Sequence, residues 1–116
     1  MQAWFVYVVA CADGTLYTGI ARDVAARIAA HEAGRGARYT RGRGPLALLV
    51  KRRCATHGGA LRLESALKRL SRDDKLTVAS SAQTLGAFAR RLSAARARAA
   101  SASASASRGG AGKSSR

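Results

Sequence analysis

Acidic residues are scarce in this chain. Its 116 residues include six Asp and Glu against 21 Lys and Arg, a formal net charge of +15 at pH 7. Such a surface repels basic partners and attracts polyanions, nucleic acid first and an anionic membrane surface second. Large apolar side chains are also few. Hydrophobic residues make up 47% of the chain, but 27 of its residues are alanine. The core must therefore come from a short list of bigger residues, within one domain. No apolar run approaches the roughly twenty residues needed to span a bilayer. Val8-Val9-Ala10-Cys11 resembles the end of a lipoprotein signal, but no Lys or Arg precedes it and Tyr7 interrupts it, so it reads as a strand. The two cysteines, Cys11 and Cys54, sit in apolar surroundings. Buried, reduced thiols are expected, as in a cytoplasmic protein. Cys54 and His57 have zinc-like spacing, but no second such pair exists, which argues against a zinc site.

Charge divides what is there. Residues 1–78 carry 14 basic groups and all six acids, a net of +8; residues 79–116 carry seven basic groups and no acid. The expected organisation is a folded domain over 1–78, a C-terminal helix over 79–100 and a disordered basic Ser/Ala/Gly tail over 101–116. Trp4 to Cys11 and Leu16 to Ile20 read as strands, with Asp13-Gly14 marking a hairpin. Asp23 caps a helix to about Ala33, where Gly34 stops it. Leu46 to about Arg53 is a third strand. Gly58-Gly59 precedes a helix carrying Leu61, Leu63, Leu67 and Leu70, and Ser71-Arg72-Asp73-Asp74 opens a short one. A last helix runs from Thr84 to about Ala100, with Leu85, Phe88 and Leu92 on one stripe. The fold class is α+β: a small three-stranded antiparallel sheet in β-β-α-β-α-α order, flanked by helices.

The hairpin loop decides where the tyrosines point. A two-residue loop sends Tyr7 and Tyr17 to opposite faces. A three-residue loop, Ala12-Asp13-Gly14, sets Tyr7 opposite Gly19 and Tyr17 opposite Val9, on one face. It also gathers Trp4, Val6, Val8, Leu16 and Ile20 on the other face as a coherent core side. Gly14 suits the left-handed position such a loop needs, so the three-residue loop is expected.

Taken singly, the polar residues have ordinary explanations. Tyr7 and Tyr17 are strand aromatics, His31 is a charge at a helix C-terminus, and Glu64 pairs with Lys68 one turn on. Arg27 and His31 share a helix face. Taken together, Phe5-Val6-Tyr7, then Tyr17-Thr18-Gly19, then Arg27 and His31, then Glu64 resemble the GIY-YIG nuclease family, in its small stand-alone bacterial form. The resemblance covers about residues 3–78. Phe5 replaces the glycine of the first motif and Thr18 the isoleucine of the second.

The resemblance implies a metal-dependent endonuclease that cuts a phosphodiester by direct attack of water, possessing Tyr7, Tyr17, Arg27, His31 and Glu64 as catalytic residues. Tyr7 is the first choice of base, with Tyr17 sharing or supporting that role. A phenol needs its pKa lowered by cations such as Arg27 to act near neutrality. Arg27 would stabilise charge on the phosphorus centre, and His31 would orient water or phosphate or assist proton transfer. Glu64 is the one expected protein ligand of Mg²⁺ or Mn²⁺, whose shell DNA phosphates would complete. No small-molecule cofactor is implied.

Arg35, Arg38, Arg41 and Arg43, with Tyr39, sit on a glycine-rich loop suited to phosphate contact. The expected substrate is branched, nicked or single-stranded DNA, in repair or recombination, with a partner protein admissible. The runner-up is a non-catalytic nucleic-acid-binding module on the same fold. A basic peripheral membrane protein is the third reading, and no strong amphipathic helix supports it.

Overall fold

The computed structural model describes residues 3–33 and 45–109, with the side chains of 102–109 excepted. Three strands, β1 (Trp4–Ala10), β2 (Leu16–Ala21) and β3 (Ala47–Cys54), form one antiparallel sheet in the order β2-β1-β3. The element order and class are those expected. β1 is the most β-branched and aromatic of the three, and it takes the centre, where both its edges are paired.

The β1–β2 register matches the three-residue loop. Tyr7 stands opposite Gly19, Val9 opposite Tyr17 and Ala10 opposite Leu16. Gly14 has φ +87°, a conformation that costs a residue with a Cβ about 1–2 kcal/mol. Its amide donates to the Cys11 carbonyl at 2.9 Å, and the Cys11 amide donates to the Thr15 carbonyl at 2.8 Å. Asp13 closes the turn by accepting from the Thr15 amide at 3.1 Å and the Thr15 hydroxyl at 2.6 Å. On the other side of β1, the β3 register slips between Val8 and Val9, which leaves Leu49 as an extra residue.

Helix α1 (Val24–Glu32) starts at Asp23, whose carboxylate accepts from the Ala26 amide at 3.0 Å. Its last residue, Glu32, accepts from the Leu46 amide at 2.9 Å and so ties the helix end to the start of β3. Helix α2 (His57–Lys68) begins earlier than its glycines suggest. Thr56 caps it through the Gly59 amide at 2.9 Å, which draws Gly58 and Gly59 into the first turn. Ser71 caps α3 (Arg72–Val78) through the Asp74 amide, as its sequence predicts.

Helix α4 spans Ala82–Gly109 and starts two residues before Thr84. Ser81 and Thr84 cap each other reciprocally: the Thr84 amide donates to the Ser81 hydroxyl at 3.1 Å, and the Ser81 amide to the Thr84 hydroxyl at 3.0 Å. The helix continues past Ala100 to Gly109. Alanine is the strongest helix former, so alternating Ser and Ala need no packing to prolong an existing helix by a few turns. The chain divides into two compact units, residues 1–86 and 87–116. No helix among the described residues is long and apolar enough to cross a membrane.

Both faces of the sheet are covered, where the sequence suggested one core side. Helix α2 packs against all three strands and buries Ala60, Leu63, Ala66 and Leu67. By strand alternation this is the face of Val6 and Val8, both 0% exposed. On this face Trp4 stacks on His57, ring centroids 4.1 Å apart, and the Arg22 guanidinium lies 4.6 Å from the Trp4 ring centre. The opposite face buries a second cluster of Tyr7, Val9, Cys11, Ala21, Val24 and Leu46. Each of these larger side chains contributes about 1.5–3 kcal/mol on burial. The tyrosine face is therefore core at one end and site at the other.

Candidate active site

The site begins with a missing side chain. A Cβ on Gly19 would stand 2.6 Å from Tyr7 Oη, 2.7 Å from Tyr7 Cζ and 3.0 Å from Tyr17 Cε2. The Tyr7 phenol thus lies directly across the β2 backbone, in space that only glycine leaves open. Because β2 is an edge strand, the hydroxyl is carried from the central strand toward the margin of the sheet.

There it meets His31. Tyr7 Oη and His31 Nε2 are 3.1 Å apart, in a buried hydrogen bond between β1 and α1. His31 is 2% exposed and Tyr7 1%. Burial holds the imidazole below its usual range, and the Arg27 guanidinium one turn earlier adds to this. His31 is neutral at pH 7, unlike a solvated helix-end charge. Burial also pushes the Tyr7 phenol up to about 12; Tyr17 raises it further, Arg27 opposes, and Glu64 adds a smaller rise. Arg27 does act on the phenol in the sense expected, but desolvation outweighs it. With the phenol protonated and the imidazole neutral, the tautomer carrying its proton on Nδ1 leaves Nε2 to accept from Tyr7.

Tyr17 is half-buried and closes the third side. Its ring lies 6.4 Å from that of Tyr7 and meets the His31 ring edge-on at 5.5 Å. Arg27 is exposed. Glu64, on α2, keeps 18% of its side chain exposed and pairs with Lys68 at 3.3 Å. The structure thus brings Tyr7, Tyr17 and His31 into contact, with Arg27 and Glu64 close enough for their charges to act on Tyr7. Arg35, Arg38, Tyr39, Arg41 and Arg43 lie outside the described residues.

Two cations were missed by the sequence reading. The β1–β3 register sets Arg53 opposite Phe5 and Lys51 opposite Tyr7, so both share the tyrosine face. Both are exposed, and Lys51 Nζ lies 5.4 Å from the Phe5 ring centre. The period of two along the β3 strand, which puts Lys51 and Arg53 on one face, is the signal that marks them.

The donor set can be tested for a metal. No group of three or more His, Cys, Asp or Glu residues among the described residues could hold an ion. The partly buried carboxylate of Glu64, whose charge reaches the phenol, does suit Mg²⁺, which takes one or two carboxylates and completes its shell with water and substrate phosphates. An all-protein cage is not on offer.

Residues 3–77 match the sequence profile described as the GIY-YIG catalytic domain. A UPF0213 protein of Nitratidesulfovibrio vulgaris is 44% identical over 90 residues, covering 74% of this chain and 82% of the relative. One from Staphylococcus aureus is 45% identical over 76 residues, covering 66% of this chain and 93% of its own. The solution structure of a UPF0213 protein from Bacillus halodurans is 42% identical and covers 68% of this chain and 84% of that one, with a TM-score of 0.46.

Proposed function

The chain belongs to the GIY-YIG catalytic domain family, a nuclease family, and from that premise we propose that it is a DNA endonuclease hydrolysing phosphodiester bonds with Tyr7 at the centre of the reaction. The observation that carries this is the buried bond between Tyr7 Oη and His31 Nε2 at 3.1 Å.

A phenol pushed up to about 12 is a poor base at pH 7 unless its own proton has somewhere to go. His31 Nε2 is that destination. As Tyr7 Oη takes a proton from the attacking water, its O–H proton passes to His31, and the oxygen never carries full negative charge in a desolvated site. The water oxygen then bonds to phosphorus and the strand's leaving oxygen departs. Arg27 is placed to offset the charge that gathers on the phosphoryl oxygens. Tyr17 walls the phenol and imidazole from the side and restricts competing water. Mg²⁺ or Mn²⁺, held by Glu64 and completed by DNA phosphates, would neutralise the leaving oxygen.

Lys51, Arg53 and the loop arginines Arg35, Arg38, Arg41 and Arg43, with Tyr39, are proposed contacts to phosphate and sugar. None of these reads base edges. The proposal is therefore structure-selective cutting of branched, nicked or single-stranded DNA, in repair or recombination, alone or with a partner protein. Two free thiols support a reducing, cytoplasmic setting. The second reading, a non-catalytic nucleic-acid-binding module, draws on the high Tyr7 pKa, which leaves the resting site without a ready base.

A panel of branched, nicked and single-stranded DNA, with Mg²⁺, Mn²⁺ or chelator, separates the two. Under the nuclease reading the parent cuts at least one substrate in metal and none in chelator. Tyr7→Phe and Glu64→Gln each lose at least about a hundredfold in cleavage while binding DNA as before. A parent that binds tightly and cuts nothing establishes the module instead.

A further inference from the structure

Away from the phenol, a cleft of about 210 Å³ opens between the β1–β2 turn and α3, lined by Thr15, Leu16, Leu70, Arg72 and Lys75. Leu16 and Leu70 supply an apolar wall. The charged lining is cationic. Arg72 Nη2 donates to the Gly14 carbonyl at 2.8 Å, which moors the guanidinium to the hairpin turn and leaves its other donors for a ligand. Lys75 is half-buried, and burial lowers its pKa, with the charge of Lys68 adding to the effect. No carboxylate pairs with Lys75 or Arg72 among the described residues. Asp13, the acid of the adjoining turn, is engaged by the Thr15 amide and hydroxyl.

A half-buried ammonium and a moored guanidinium lining one cleft, neither paired with a carboxylate among the described residues, describe an anion site. Its position says which anion. Lys68 sits 3.3 Å from Glu64 on one side and within electrostatic reach of Lys75 on the other. The cationic line thus starts at the carboxylate proposed to hold the metal and ends in the cleft. A nucleic-acid strand whose scissile phosphate lies near Glu64 would meet Lys68, then Lys75 and Arg72, while its sugar could rest on Leu16 and Leu70.

We propose that this cleft is a phosphoryl-binding subsite, and that it takes a phosphate of the nucleic-acid strand flanking the one being cut; the assignment to a strand rests on the proposed nuclease function. Nothing in the cleft discriminates between bases, so the subsite positions the strand and adds no sequence preference.

The test compares the full chain with Lys75→Met and Lys75→Arg. Removing a half-buried charge should leave the Met variant at least as stable as the parent in chloride, and the Arg variant keeps the charge if the Met side chain packs badly. Inorganic phosphate, at ionic strength matched with chloride, should raise the melting temperature of the parent and of Lys75→Arg but not of Lys75→Met. Binding of a single-stranded oligonucleotide, measured against salt, should show a slope smaller by about 0.7 in Lys75→Met and restored in Lys75→Arg, the loss of one released counterion. A phosphate response with an unchanged oligonucleotide slope overturns the strand assignment in favour of a free-phosphate site. Equal behaviour of Lys75→Met and parent in both arms overturns the subsite. Both readouts are of binding, so a parent that binds DNA but never cuts it sinks the nuclease reading alone.

Discussion

Gly19→Ala is the sharpest perturbation of the site that leaves every polar group in place. The new methyl would start 2.6 Å from Tyr7 Oη and 2.7 Å from Cζ. Comfortable contact begins near about 3.5 Å, so the phenol has to retreat by about 0.9 Å. Tyr7 is 1% exposed and the Tyr17 ring already lies 3.0 Å from the same point, so there is little free volume to retreat into. Overpacking of this kind typically costs about 1–3 kcal/mol, or about 4–8 °C in melting temperature for each kcal/mol in a domain of this size. A displacement of that size is enough to break the 3.1 Å bond to His31, since hydrogen bonds fail within a few tenths of an ångström of their usual length. Misplacement of a reacting group by about 1 Å can cost a hundredfold in rate. Thermal unfolding measures the first effect and DNA cleavage the second. A tyrosine absorbance titration adds a third readout, since a phenol pushed from its buried seat should ionise closer to its ordinary value. An alanine variant that melts and titrates like the parent would refute the close crossing of Tyr7 over β2.

Other expectations follow from individual residues. Thr18 Oγ1 is buried and has no hydrogen-bond partner, so Thr18→Val should raise stability by about 1 kcal/mol in urea denaturation; a loss of stability would mean the hydroxyl has a partner. His31 has its pKa lowered in the folded chain, so as pH falls the unfolded chain takes up the proton first. The denaturation midpoint should hold above about pH 6.5 and drop below it. Tyr7 is raised to about 12 from 10.0, the opposite sense for a phenol. Its contribution, on the order of 3 kcal/mol at most, is complete below pH 10 and fades as pH rises toward 12, and Tyr7→Phe should flatten that alkaline limb. Removing residues 101–116 takes away Arg108, Lys113 and Arg116. The melting temperature should stay, and the salt slope of duplex DNA binding should fall by up to about 3.

The sequence carried the sheet because its signals there were local and agreed with one another. Alternation in β1 and β2, a glycine where positive φ is needed and Asp23 and Ser71 as caps all lead to the observed register and helix starts. What it could not carry were properties that arise only when elements meet. His31 reads as a helix-end charge until Tyr7 is seen to cross Gly19 and reach it. The tyrosine face reads as open until α1 and the start of β3 are seen to bury half of it. The cleft at Arg72 and Lys75 has no motif, because the turn, β2, the α2–α3 link and α3 contribute one or two residues each. Glu64 was legible as the partner of Lys68, whereas the reach of its charge to Tyr7 was not.

The stack of Trp4 on His57 has a practical use unrelated to phosphate. Trp4 is the chain's one tryptophan, and it stands on the central strand against the first residue of α2, 4.1 Å from the imidazole, with Arg22 of the neighbouring strand end beside it. All intrinsic indole fluorescence therefore comes from the joint between sheet and helix. Emission from an indole changes when the ring stacked on it departs, so it serves as an alarm for α2 lifting away. That optical signal arises on the sheet face opposite the tyrosines, which lets undocking of the helix be followed without labelling the protein or touching the residues proposed to react.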